Sequence, residues 1–244
     1  VKLSNKIIVL TGGTSGIGRK MVDKLQAHNT LAVIARESPR LQALRDTFPN
    51  VDVHAADLSD PQNYGVIANS ILETHPRIDV LINNAAVQNV PTFLDKEFDY
   101  ATIEHEIHVN FTSVCALSYL LLPALTHGNE EAAIANINSG LALTPKKTSV
   151  IYCATKAALN AFSQGLSYQL EGTNVQVLQA FLPLVDTPMT TGRGTGKITV
   201  DKAASEILLG IEQGKKVNDV GKVKLLRLLL RLAPALAGRI MRKQ

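Results

Sequence analysis

A chain of 244 residues, 45% apolar and 19% charged, is long enough to enclose one sizeable core, which excludes a disordered tail protein and a mini-protein held by staples. Its formal charge of +4 is unevenly placed: residues 1–214 carry 16 Lys+Arg against 20 Asp+Glu, and residues 215–244 carry 9 against 1. A mildly acidic body with 5% aromatic residues and no Trp offers single-stranded bases little to stack on, so no nucleic-acid partner is expected.

Residues 1–6 run directly into Ile7-Ile8-Val9-Leu10, without an apolar region of signal-peptide length. No apolar run reaches the roughly 18 to 20 residues of a membrane span. Two cysteines, Cys115 and Cys153, cannot make a disulfide framework and indicate a reducing compartment, so a cytoplasmic protein is expected. Short aliphatic runs at 7–10, 31–34, 51–53, 80–82, 134–137 and 175–178, with a weaker one at 217–220, alternate with helical periodicity at 17–27, 62–74, 102–125, 152–171 and 201–213. That alternation predicts an α/β fold, a doubly wound parallel sheet of about seven strands with helices on both faces. No linker or fixed-period repeat divides the chain, so one domain over residues 1–244 is expected. Its Gly/Thr-rich stretch at 190–196 reads as a mobile loop.

Directly after the first strand comes Thr11-Gly12-Gly13-Thr14-Ser15-Gly16-Ile17-Gly18, with a helix opening inside it. Glycines there let backbone approach a pyrophosphate, and a helix N-terminus presents N–H groups and a positive dipole end to it. A tight strand-to-helix turn without a ligand would use the same residues. Reading onward adds Asp57-Leu58 after the third strand, Asn83-Asn84-Ala85-Ala86 after the fourth, Ser139 after the fifth, and Tyr152-Cys153-Ala154-Thr155-Lys156 opening a helix. Together these motifs resemble the short-chain dehydrogenase/reductase family, in its order, over about three quarters of the chain. The resemblance implies a Rossmann-like sheet in strand order 3-2-1-4-5-6-7 and an oxidoreductase acting on CH–OH or C=O with NAD(P). It places the dinucleotide on Gly12, Thr14, Ser15, Gly16, Ile17 and Gly18, with Asp57 and Leu58 framing the adenine. Asn83, Ala85 and Ala86 would line the path to the nicotinamide; the family usually has glycine where Ala86 stands.

The end of the second strand reads Ala35-Arg36. An acidic residue there would hold the ribose hydroxyls of NAD, whereas a guanidinium suits the 2′-phosphate of NADP. NADP is therefore favoured, NAD staying possible because Glu37 is adjacent, and Arg40 offers a second charge.

Tyr152 and Lys156 are one helical turn apart and share a face. A nearby ammonium favours the phenolate, so Tyr152 can exchange a proton with a substrate oxygen while hydride passes to or from a nicotinamide. A Tyr and a Lys meet this way by chance on many helices, but Ser139 at the C-terminal end of a strand lies where parallel sheets bind ligands. By resemblance Ser139 hydrogen-bonds the substrate oxygen, Lys156 also holds the nicotinamide ribose, and Asn110 anchors a water beside the lysine. The segment 183–189 resembles the one that closes over the nicotinamide, with Pro183, Val185 and Thr187 at the cofactor, and residues 190–197, with three glycines, would form a lid that orders on ligand binding. The expected activity is NADPH-dependent carbonyl reduction or its reverse; a regulatory protein that binds NADP without turnover is the alternative. No G-x-S-x-G elbow supports a hydrolase. His105 and His108 lack further ligands at zinc spacing, so no metal is expected; Lys146-Lys147 reads as a solvated loop near the substrate mouth, and Cys153 has no activating neighbour.

Residues 222–244 form a basic amphipathic segment. Lys224, Arg227 and Arg231 make one stripe on an otherwise apolar helix that Pro234 ends or kinks. Docking on its own domain or on a second subunit is favoured over an anionic membrane surface, and a homo-oligomer is expected.

Overall fold

The computed structural model describes residues 1–242. Seven parallel strands, β1 (Ile7–Thr11), β2 (Thr30–Ala35), β3 (Asp52–Ala55), β4 (Val80–Asn83), β5 (Ala132–Ser139), β6 (Val175–Leu182) and β7 (Val217–Asp219), form one sheet in the order β3-β2-β1-β4-β5-β6-β7. The order reverses between β1 and β4. There the neighbouring crossovers leave to opposite sides, and a crevice opens at the C-terminal ends of the strands.

Both sheet faces are covered, which is why the central strands are runs of aliphatic residues and not alternating patterns. One core cluster joins Ile8, Leu10, Val33, Ile82 and Leu178 to α1 (Gly16–Leu25) and α8 (Val200–Glu212). The opposite cluster joins Val9, Ile34, Leu81, Ile134 and Val177 to α3 (Gln62–Thr74) and α5 (Ser113–Leu120). Among the buried strand residues Asn83 and Asn136 form a polar seam, with Asn83 Nδ2 donating to Asn136 Oδ1 at 2.8 Å and Asn136 Nδ2 to Ser163 Oγ at 2.8 Å, and Asn138 Nδ2 donates to Gln179 Oε1 at 3.0 Å across β5 and β6.

Two helical regions depart from the periodicity. Helix α2 (Pro39–Thr47) is not visible in it because only Leu41 and Leu44 are buried; local chemistry makes it, with Pro39 in the first turn and the Ser38 side chain accepting from Leu41 N–H. The long period at 102–125 is three helices, α4 (Ala101–Ile107), α5 and α6 (Leu122–Leu125), with a π-helical turn at His108–Thr112 between the first two. After α7 (Val150–Gln169) and β6 the chain ends in α9 (Val223–Leu232) and α10 (Pro234–Arg242), Pro234 starting a new helix as expected.

The basic stripe on α9 is divided between the body and the surface. Arg227 turns inward, donating to both carboxylate oxygens of Asp219 at 2.6 and 2.8 Å with its guanidinium 4.7 Å above the Phe181 ring. It anchors the helix to the sheet. Lys224 and Arg231 remain exposed.

Candidate active site

The first wall of the crevice is the loop from β1 to α1, shaped by what its glycines lack. Gly12 and Gly16 have φ of +76° and +53°, a region costly for residues with a Cβ. A Cβ on Gly18 would overlap the Gly12 carbonyl oxygen, and one on Gly12 would come 2.9 Å from Ala85 Cα. The loop is therefore pressed against the end of β4, and the α1 N-terminus keeps its amides free of a side-chain cap. That is a cradle a phosphate fits. Asn84 fastens it, donating from Nδ2 to the carbonyls of Thr11 and Gly12 at 3.0 and 3.1 Å, while Thr11 Oγ1 accepts from the amides of Asn84 and Ala85.

Asn83, expected to line the cofactor path, instead points its side chain into the polar seam and is 2% exposed. The strand pleat turns neighbouring residues to opposite sides, so Asn84 takes the loop-facing position. Ala85 and Ala86 stay partly exposed along the path. Leu58 likewise gives its side chain to the core and its carbonyl to Tyr64 Oη at 3.0 Å. Asp57 stays at the crevice. Burial would raise its pKa, but hydrogen bonds from Ser59 N–H and Oγ and the charge of Arg36 outweigh this and hold it below the usual range.

At the adenosine end Arg36 is exposed, and Glu37 beside it is engaged by Arg45 of α2 at 3.3 Å. Arg40 is exposed as well.

The second wall is built around α7. Ser149, in left-handed conformation at φ +56°, starts this helix, and Tyr152 and Lys156 follow on one face with Lys156 Nζ 5.7 Å from the Tyr152 ring centre. Lys156 is 3% exposed, and Nζ donates to the Ile137 carbonyl of β5 at 2.9 Å. Ser139, at the end of the same strand, caps a short turn by accepting from Leu141 N–H, and its hydroxyl interacts with the Tyr152 phenol.

The pKa pattern reverses the expectation from helical spacing. Burial pushes Tyr152 up to about 12, against a smaller downward pull from Ser139, and brings Lys156 down to about 8. Desolvation is the largest cause of both shifts. The protein itself thus keeps a protonated phenol at the mouth of the crevice.

Asn110 sits in the π-helical turn and is fully buried. Its Oδ1 accepts from Val87 N–H at 2.8 Å, and its Nδ2 donates to the Val87 carbonyl at 2.9 Å and to Thr155 Oγ1 at 3.3 Å. The side chain thereby ties the segment after β4 to α7 directly. π-turns are often found where a helix must aim a side chain at a functional site.

The model of the short chain dehydrogenase family matches residues 6–197. This chain belongs to that family. It is 32% identical over 223 residues to an uncharacterized oxidoreductase, DltE, of Bacillus subtilis, covering 88% of each chain. It is 31% identical over 205 residues to a sulfoacetaldehyde reductase of Chromohalobacter salexigens, covering 82% of this chain and 79% of that one. Among solved structures, a short-chain dehydrogenase of Sphingobium yanoikuyae in complex with NADPH superposes with a TM-score of 0.77 at 27% identity, covering 96% of this chain and 93% of that one. A short chain dehydrogenase of Burkholderia cenocepacia in complex with NADP has the same fold, with a TM-score of 0.87 at 22% identity and 99% of both chains covered. The protein is accordingly an oxidoreductase of the alcohol/carbonyl class.

The substrate side of this short-chain dehydrogenase carries groups the sequence did not single out. The Val185 side chain joins the core and its carbonyl accepts from Thr190 Oγ1 at 2.5 Å, so it offers backbone alone to a cofactor. Thr187 lies against Gly16 and links this segment to the glycine loop, with Pro183 partly exposed nearby. In the lid, Gly192, Gly194 and Gly196 all have positive φ: the composition that reads as mobility serves a series of turns. They present Arg193, whose Nη1 donates to Gln88 Oε1 at 3.0 Å. Arg193 and Lys146 feel each other's charge, and Arg193 feels Tyr152; burial lowers the pKa of both cations. Neither has a carboxylate partner among the described residues. Lys146 is thus half-buried at the mouth and not a freely solvated loop residue.

Glu106 of α4 is also near Tyr152 and 1% exposed. One oxygen accepts from Asn89 N–H while Oε2 has no partner among the described residues, and burial raises its pKa. His108 donates from Nδ1 to the Ser59 carbonyl at 3.0 Å, and burial pushes the Cys153 thiol up.

Proposed function

We propose that this chain catalyses NADPH-dependent reduction of a carbonyl compound, or the reverse oxidation of the alcohol, with Tyr152 as proton donor. The observation that carries the reading is the convergence of Ser139, Tyr152 and Lys156 at the C-terminal edge of β5, across the crevice from a glycine cradle that fits a dinucleotide. Arg36, exposed while Arg45 occupies Glu37, suits a 2′-phosphate. Structural relatives in complex with NADPH and NADP are in keeping with it, beside others in complex with NAD and NADH.

When bound, the cofactor supplies the hydride. Ser139 Oγ orients the substrate oxygen, and Tyr152, protonated at neutral pH, donates to that oxygen as charge develops on it. Lys156, held against the Ile137 carbonyl, is predominantly cationic at pH 7 and favours the phenolate left behind. Asn110 positions α7 against the cofactor path through Thr155 and Val87. Arg193 and Lys146 favour a substrate carrying an anionic group close to its carbonyl, in keeping with the sulfonated substrate in the name of one relative.

The test is an NADPH-oxidation screen over paired neutral and anionic aldehydes and ketones, repeated with NADH and with Tyr152→Phe. Turnover should be faster with NADPH and with the anionic member of each pair. It should fall at least about a hundredfold in the Tyr152→Phe variant while NADPH binding persists. Turnover that survives this substitution would overturn the assignment of Tyr152, and a preference for NADH would overturn that of Arg36.

A further inference from the structure

We propose that the outward face of α9 and α10 docks on an anionic phospholipid surface. Helix α9 is attached to the body from below: Val223 is buried, Leu226 and Val223 lie against Gly140, and Arg227 holds Asp219. The other side carries Leu225, Leu228 and Leu232, exposed by 67%, 52% and 73%, and beyond Pro234 come Leu236 and Ile240 at 50% and 45%. Those spacings keep the apolar residues on one side of each helix. Single exposed leucines are ordinary, but five on two adjoining short helices make a contiguous face.

Charge decides the occupant. Lys222, Lys224, Arg231, Arg239 and Arg242 are all exposed beside the apolar residues, and residues 220–244 contain no Asp or Glu. Among the described residues no carboxylate pairs with any of these five. A second copy meeting this face by two-fold symmetry would bring the same patch onto itself, setting these cations against one another with no acid to neutralise them. Anionic headgroups over a fluid apolar layer satisfy both features at once: the aliphatic side chains enter the acyl boundary while the ammonium and guanidinium groups stay at headgroup level. No helix among the described residues is long and apolar enough to cross a membrane, so the contact is peripheral. Gly140, which directly follows Ser139, lies against the inner side of α9, so docking places that helix between the end of β5 and the bilayer.

The test is co-sedimentation of the full chain with vesicles of phosphatidylcholine alone and of phosphatidylcholine mixed with phosphatidylglycerol. Binding is expected only to the mixed vesicles and should weaken as salt is added. The L225S/L228S/L232S variant should lose at least about tenfold in vesicle affinity, and the Lys224→Gln, Arg231→Gln pair roughly thirtyfold. Both sets of side chains are exposed, so the unfolding temperature of each variant should match that of the parent. Absence of binding to the mixed vesicles, equal binding to both kinds, or unchanged binding by the leucine variant would overturn the proposal. So would a leucine variant that halves the mass in light scattering when the parent binds neither vesicle, since the face would then belong to a second copy.

Discussion

The two walls of the crevice are built on opposite principles. The glycine loop works by omission: atoms are missing at Gly12 and Gly18 so that backbone can press on backbone. The α7 wall works by burial, forcing Lys156 out of water, half-burying Tyr152 and shifting both away from their ordinary pKa values, the tyrosine to about 12 and the lysine to about 8. A steric wall tolerates no addition, whereas a desolvated one spends folding stability to hold ionisable groups where they react. Mutations should therefore damage the first wall by destabilising it and the second by stabilising it.

The largest expected effect is on the first wall. In Gly18→Ala the new methyl group would overlap the Gly12 carbonyl and crowd Asn84 Nδ2, both of them locked by hydrogen bonds. A loss of about 3 kcal/mol or more is expected in urea unfolding, with NADPH affinity falling with it. A Gly18→Ala protein of parental stability and affinity would show that the cradle is looser than its contacts indicate.

On the second wall, Lys156→Met should stabilise the fold while abolishing turnover. The lysine pKa falls from 10.5 to about 8 on folding, so between those values the unfolded chain holds a proton that the folded chain has released. Stability then rises as pH increases from about 8 toward 10.5, and the cost of the buried charge is fully present below 8. Removing the amine relieves that cost but forfeits the bond to Ile137 O, a net gain of ~2 kcal/mol at pH 7. Thermal unfolding against pH checks it: the variant should unfold several degrees higher at pH 7, with its advantage fading through the alkaline range. A variant less stable at pH 7 would mean that the lysine binds more than it costs.

A smaller effect separates the walls from the π-turn that joins them. Asn110→Ala leaves Val87 N–H and C=O without their side-chain partners, which should cost about 1–3 kcal/mol. If Asn110 is a positioning residue, kcat should fall more than stability explains while the alkaline limb of the pH–rate profile stays in place. A displaced limb would indicate direct coupling to Lys156.

This contrast also accounts for what the sequence revealed. The strands themselves, the glycine loop and the Tyr152–Lys156 pair were legible because each depends on residues close in the chain or on a period the sheet imposes, whereas the strand order came only with the family resemblance. Asn110 was legible as a residue but its partners were not, since Val87 and Thr155 lie 23 and 45 positions away. The sign of the Tyr152 shift was hidden for the same reason: spacing reports a neighbouring charge but not burial. The pleat, invisible in an Asn-Asn pair, turns the Asn83 side chain into the polar seam and that of Asn84 toward the loop. Glu106 and Arg193 left no signal at all, one an isolated acid in a helix and the other in a loop whose glycines suggested only motion. Arg227 was legible as part of a basic stripe but not as an anchor, because its partner Asp219 lies eight residues back on β7.

The adenosine end gives the smallest effect and the clearest separation of causes. Arg36 is exposed, so charge-assisted bonds to a 2′-phosphate are partly screened and should contribute about 1.5 kcal/mol, near tenfold in Kd. Arg36→Leu should weaken NADPH by that factor in a fluorescence titration and leave NADH unchanged. Glu37 is held at 3.3 Å by Arg45, which keeps the acid from serving a free ribose. Adding Arg45→Leu releases it, and NADH affinity should then rise where the single substitution left it flat. If Arg36→Leu weakens both cofactors equally, the guanidinium is supporting the loop and not reading the phosphate. If the double variant gains nothing for NADH, the Glu37 carboxylate points away from the ribose even when unpaired. Either result would move the discrimination from the residue after β2 to Arg40, the remaining exposed cation on this loop.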